Sequence, residues 1–258
     1  MTQTRVKTTS EIAAMRESGR MLATVLQYLK QHVTDGISTK QLADLAAEEL
    51  KRLGGQPVFL GYPGGPGVPD FPDIICISIN EEVVHGIPKV DKIVHSGDIV
   101  SLDFGVKYQG MITDAAISTI ADRPHSQVHE HLVKYTERAM HAGINTVHDR
   151  VRTGDIGAAI EAELNKHRYG IVRDLVGHGV GHEMHEDPNI PNYGRANTGP
   201  WLDAGMTIAI EPMATLGTER ITVAEDGWTI LTQDGSWAAH FEHSVLITPD
   251  VVEILTQV

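Results

Sequence analysis

SGDIVSLDF (Ser96–Phe104) and AGMTIAIEP (Ala204–Pro212) decide the fold, because the second repeats the first without a gap. In each, a glycine (Gly97, Gly205) is followed by apolar residues at alternate positions, the period of a β-strand, and then by a carboxylate, Asp103 or Glu211. Working outward, a pair of helices precedes each of these strand-rich segments. Ile12, Met15, Met21, Leu22, Val25, Leu26 and Leu29 recur at helical spacing and predict a helix ending near Thr34-Asp35-Gly36. Ser38 with Gln41 forms a capping-box pattern for a second helix, running to Leu53 and stopped by Gly54-Gly55. The later block predicts helices over Ser126–Asn145 and Ile156–Arg168. Helices followed by strands, twice over, predict an internally duplicated chain of mixed α/β (α+β) class, with Asp103 and Glu211 at matching places in two half-domains.

Between the first helix pair and its strands lies LGYPGGPGVPDFP (Leu60–Pro72), whose Pro/Gly-rich part, Gly61–Pro72, breaks regular structure. Such a stretch can link two domains. Because ICISI (Ile75–Ile79) resumes at once as a buried strand, the expectation is a long surface loop inside one domain spanning residues 1–258.

The 258 residues can bury a sizeable core. A net charge of −13 lacks the basic face that grips nucleic acid. No apolar run approaches the roughly 20 residues of a membrane helix. MTQTRVKTTSE has no apolar core behind its basic residues, so no secretory signal is expected there. The single cysteine, Cys76, can form neither an internal disulfide nor a thiolate cage, which fits a reducing cytoplasm. Its place in an apolar strand favours packing over nucleophilic attack. No GxSxG elbow, P-loop or strand-following GxGxxG is present. A metal site of carboxylates and imidazoles stays open.

Asp103 follows Ile99-Val100-Ser101-Leu102, a strand whose interior is a costly place for an unpaired charge. Asp114 sits in a second strand-like run, GMITDAAIST. A hairpin turn centred on Tyr108-Gln109 would set the two acids face to face, where they repel unless a proton or cation lies between. Glu211, and Glu242 in WAAHFEHSVLI, are two more acids among strand-forming residues. Four anions would balance two divalent cations, and a two-metal site stabilises both nucleophile and oxyanion in hydrolysis. VGHGVGHEMHEDP (Val176–Pro188) places His178, His182 and His185 in a glycine-rich segment unsuited to a helix, and it lacks the HExxH zinc signature. Either His178 completes the carboxylate site, or the three histidines hold a single zinc. His85, in VVHGIP, sits at a strand-to-turn exit.

Together these segments resemble the type I methionine aminopeptidases: CISINEEVVHGIP (Cys76–Pro88), GDIVSLDFGV (Gly97–Val106), ITDAA (Ile112–Ala116), GHGVGHEMHEDP (Gly177–Pro188), MTIAIEPM (Met206–Met213) and FEHSV (Phe241–Val245), in that family's order. The resemblance implies the pita-bread fold, a pseudo-twofold duplicated domain with an antiparallel-rich curved sheet and flanking helices. It implies two divalent ions (Mn, Fe, Co or Zn) held by Asp103, Asp114, His178, Glu211 and Glu242, with Asp114 and Glu242 as bridges. His85 and His185 match the histidines that contact substrate beside the scissile bond, and Glu211 is the proton shuttle. Cys76, Tyr62, Phe71 and Trp228 fall where the family lines its methionine pocket. The implied activity is removal of initiator methionine before a small second residue by a metal-activated hydroxide. It would act as a cytoplasmic monomer on nascent polypeptide N-termini, at the ribosome, with no nucleic-acid or membrane site.

Three departures touch the pocket and none the ligands. The Pro/Gly stretch is longer than usual, Phe71 stands where tyrosine is frequent, and Met184 stands where an aromatic residue is frequent. Xaa-Pro dipeptidases and aminopeptidases share the fold and the ligand types, but usually carry an N-terminal domain for which there is no room ahead of Asp103. A binding protein that has lost its metals is the third reading, disfavoured because all five ligand positions are filled.

Overall fold

The computed structural model describes residues 2–258, with Met1 outside the described residues. α1 (Thr9–Lys30) carries the apolar spacing read from Ile12 to Leu29, and α2 (Thr39–Leu53) begins where its capping residues predict. The Thr8 hydroxyl accepts from the Glu11 amide while the Glu11 carboxylate accepts from the Thr8 amide, and Ser38 and Gln41 do the same. Each box satisfies two N–H groups that a helix start leaves without partners. α1 stops at Lys30, short of the expected Thr34–Gly36, because the Gln31 and His32 amides fold back onto the Tyr28 and Leu29 carbonyls. α3 (Gln127–Ile144) fills its expected span. α4 (Thr153–Asn165) is displaced toward the N-terminus of the expected Ile156–Arg168. Asp155 accepts from the Arg152 amide to start it early, and Arg168 at φ 58° cannot continue it.

The strands Ile99–Tyr108 and Met111–Ile120 form a hairpin, but its turn is Gln109-Gly110, one residue beyond the expected Tyr108-Gln109. Both turn residues take positive φ, 46° and 85°, the conformation a two-residue hairpin loop requires and glycine tolerates. Asp103 therefore faces Ala116, and Asp114 faces Gly105. The two acids are diagonal neighbours rather than directly opposed.

This hairpin joins a ten-stranded sheet. Its hydrogen-bonded order runs Thr2–Gln3, Glu186–Ile190, Gly177–Gly179, Thr207–Ile210, Glu242–Ile247, Met111–Ile120, Ile99–Tyr108, Gln56–Pro57. Cys76–Ile79 also pairs with Ile99–Tyr108, and Val252–Ile254 with Glu242–Ile247. The pairings are antiparallel except at the Thr2–Gln3 edge. The inferred duplication is visible as a seam between Met111–Ile120 and Glu242–Ile247. Outward from it, the hairpin lies on one side and Glu242–Ile247 with Thr207–Ile210 on the other. α1 and α2 bury Leu22, Val25, Leu29 and Leu42 with Leu102 and Phe104 of the first half. α3 and α4 bury Leu132, Met140 and Ile160 with Ile208, Ile210 and Val245 of the second. Burying these side chains stabilises each layer by about 1.5–3 kcal/mol per large residue, and leaves the face between the halves for polar groups.

Candidate metal centre and active-site cavity

Register places the four acids. Ala116 pairs with Asp103 on one side and Glu242 on the other, so the three residues form a row across three strands. The methyl group of Ala116 leaves space between the two carboxylates. Asp114, two residues before Ala116, emerges on the same face. Ile210 pairs with His243, and the next step of that ladder brings Glu211 across from Glu242. Asp114 is pinned over the seam: its amide donates to the Ser244 hydroxyl, which donates to its carbonyl (2.9 and 2.8 Å).

His178 completes the group. Its Nδ1 lies 2.9 Å from the Gly179 carbonyl, an acceptor only, so Nδ1 carries the proton and Nε2 presents a lone pair. That lone pair lies 3.5 Å from Glu211 Oε1 and 3.9 Å from Asp114 Oδ2. Burial holds the imidazole neutral, its pKa pushed down to about 3. Burial likewise raises Asp103 to about 7 and pushes Asp114, Glu211 and Glu242 well above the usual carboxylate range, with mutual repulsion adding to it. Asp103 Oδ1, Asp114 Oδ1 and Glu242 Oε1 are buried without a hydrogen-bond donor among the described residues. Single ligand atoms of Asp114, His178 and Glu242 all come within 4.8 Å of one another. A lone pair and carboxylate oxygens converging in a buried space repel unless protons or cations sit among them. The residues present therefore fit divalent metal.

A cavity of about 110 Å³ opens onto these ligands. Its apolar wall is Phe59, Phe71, Cys76, Met184 and Trp228, and His85, His185 and Tyr62 also line it. All the residues that the resemblance assigns to the site thus border one space. Cys76 faces Asp103 across a strand pair, and burial pushes its thiol well above its ordinary pKa, against a nucleophilic role. His85 follows the strand Glu82–Val84 with φ 59°, and burial lowers its pKa to about 4. Burial also lowers His185, whose Nδ1 is 2.7 Å from Tyr62 Oη. Phe71 and Trp228 meet edge to face at 5.3 Å. Met184 stands in the wall, so a thioether replaces an aromatic surface there.

His182 does not join. Its Nε2 lies 2.7 Å from Glu11 Oε1, away from the cavity, which removes the three-histidine zinc arrangement. Two residues escaped sequence reasoning. Phe59 carried no signal, since it reaches the wall only through the fold of the loop after it. His240, buried with Nε2 3.7 Å from Glu211 Oε2, lies two residues before Glu242, and that strand spacing was the available cue.

These shifts set a pH dependence. An acid whose folded-state pKa is raised keeps a proton that the unfolded chain has lost, so its stability contribution declines as pH rises. Above about pH 7 the histidines are largely neutral in both states, so the carboxylates carry most of the slope, the buried Cys76 thiol adding to it and buried Lys7 opposing it. Chelator-treated protein should thus need less urea to unfold at about pH 9 than at about pH 7, and Glu242→Gln should flatten the difference. Equal midpoints for the wild type would contradict the burial of ionisable acids.

Residues 13–249 match metallopeptidase family M24. "Methionine aminopeptidase 1" of Bacillus subtilis is 40% identical over 256 residues, covering 98% of each chain. The crystal structure of methionine aminopeptidase from Thermotoga maritima superposes with a TM-score of 0.95 at 41% identity, covering 99% of this chain and 100% of that one. Prolidase from Pyrococcus furiosus, at 20% identity and a TM-score of 0.77, shares the fold over 65% of its own length.

Proposed function

The chain belongs to metallopeptidase family M24, and from that premise we infer that it is a methionine aminopeptidase, a hydrolase that removes the initiator methionine from proteins whose second residue is small. The observation that carries the reading is the joining of an apolar, thioether- and aromatic-walled cavity to four buried acids and His178. Two ions, drawn from Mn, Fe, Co or Zn, would be held by Asp103, Asp114, His178, Glu211 and Glu242, with Asp114 and Glu242 shared between them. When bound, they supply Lewis acidity and lower the pKa of water toward neutrality.

The remaining work falls to the side chains. Phe59, Phe71, Cys76, Met184 and Trp228 take the unbranched thioether, where sulfur–aromatic contact is worth about 0.3–1.5 kcal/mol. Glu211 takes the proton of the attacking water and passes it to the departing nitrogen. His185 donates to the carbonyl oxygen as it becomes tetrahedral, and His85 holds the peptide nitrogen. With both imidazoles beside the scissile bond, little volume remains for the second side chain. The natural substrates are then nascent N-termini met at the ribosome in the cytoplasm, with the enzyme acting as a monomer. No helix among the described residues is long and apolar enough to cross a membrane.

A metal-replete assay of Met-Ala-Ser, Met-Leu-Ser, Leu-Ala-Ser, acetyl-Met-Ala-Ser and Ala-Pro tests the specificity. Met-Ala-Ser should be cleaved, the next three should resist, and Ala-Pro should be poor. Comparable turnover of Met-Leu-Ser, or any of the acetylated peptide, overturns the reading; preference for Ala-Pro would favour prolidase-like activity.

A further inference from the structure

The Pro/Gly-rich loop is fastened at its base and on both flanks. Gly61 N donates to the Phe71 carbonyl and Phe71 N to the Tyr62 carbonyl, each at 2.9 Å, so Tyr62 and Phe71 close the neck together. On one flank Trp228 Nε1 donates to the Pro69 carbonyl at 2.8 Å. On the other, Tyr62 Oη and His185 Nδ1 lie 2.7 Å apart with the rings edge to face. A loop built this way places one phenol on one ring nitrogen.

We propose that Tyr62 is a positioning residue that donates its hydroxyl proton to His185 Nδ1 and so fixes His185 with its own proton on Nε2, the nitrogen left free to meet the substrate carbonyl. This rests on the donor role given to His185 above. Two observations set the direction of the bond. Tyr62 Oη has no other hydrogen-bond partner among the described residues, so donation to Nδ1 is the arrangement that satisfies the hydroxyl. Burial, with Asp114 and Glu183 nearby, raises the phenol's pKa and keeps it protonated. The opposite arrangement would leave a bare Nε2 lone pair on a ring only 4.4 Å from that of His178, in a site crowded with carboxylates. A neutral imidazole whose Nδ1 accepts a hydrogen bond carries its proton on Nε2 and donates from there. The loop thereby does more than wall the pocket, because its closure also sets the tautomer of His185.

The experiment uses chelated, ¹⁵N-histidine-labelled protein, so its readout needs no catalysis. Long-range ¹H–¹⁵N correlation should show wild-type His185 protonated on Nε2 with a hydrogen-bonded Nδ1. Tyr62→Phe should return the Nδ1 resonance to that of a free acceptor. In metal-loaded enzyme the same variant should lower kcat for Met-Ala-Ser about tenfold, the scale of one hydrogen bond, with KM unchanged because the ring remains. A wild-type His185 protonated on Nδ1 overturns the proposal without any variant. An Nδ1 resonance that does not move in Tyr62→Phe overturns it whatever the kinetics. Wild-type enzyme inactive on every peptide would sink the assigned function while leaving the tautomer question answered.

Discussion

Asp114→Asn is expected to bind less metal than His178→Ala and to lose roughly three orders of magnitude in kcat/KM, since several kcal/mol of transition-state stabilisation go with the ions. The asparagine keeps the size and the backbone pinning by Ser244 but removes a charge at the seam, where Asp114 approaches His178 and repels Glu242. On the two-ion proposal, the Asp114 carboxylate would serve both ions and His178 only one. Chelation of the wild type should abolish turnover, and added divalent transition metal should restore it. Metal content by mass spectrometry and cleavage of Met-Ala-Ser decide the matter. A variant as metal-rich and as active as the wild type would end the two-ion proposal.

His85→Ala and His185→Ala should behave in the opposite way, keeping their metal while turnover falls by about 10²–10³, the usual cost of removing a transition-state donor. Both imidazoles border the cavity, yet neither belongs to the cluster of Asp114, His178 and Glu242. Burial keeps them neutral, so each can donate from one nitrogen without carrying charge into a crowded site. His85→Ala should still fold, because His85 lies just beyond a short strand rather than in either helix-packed core. Loss of metal from either variant would make that histidine a ligand and overturn the division of labour.

Much of this architecture was legible because the chain says it twice. The match of Ser96–Phe104 with Ala204–Pro212 located Asp103 and Glu211, apolar spacing located α1, and the Ser38–Gln41 capping box located α2. Local signals failed where backbone sign matters: the hairpin moved by one residue because Gln109 and Gly110 both take positive φ, and alternation alone cannot see this. His240 was hidden by a break in its strand. Ala238–His240 pairs with Met213–Thr215, whereas Glu242–Ile247 pairs with Thr207–Ile210, so the chain changes sheets at Phe241. His182 misled in the other direction, since its spacing matched its neighbours while Glu11, far away in sequence, claimed its ring. The histidine's destination depended on where α1 begins.

The seam between Met111–Ile120 and Glu242–Ile247 also has an evolutionary consequence. Each half carries two of the acids, and His178 belongs to the second, so neither half inherits a complete set. The two halves match in their strands but are not interchangeable, because only the second brings the imidazole. Drift on either side is therefore answerable to the other. A substitution that tilts Asp103 on its strand is felt by Glu242 through a single alanine methyl, across the boundary between the halves.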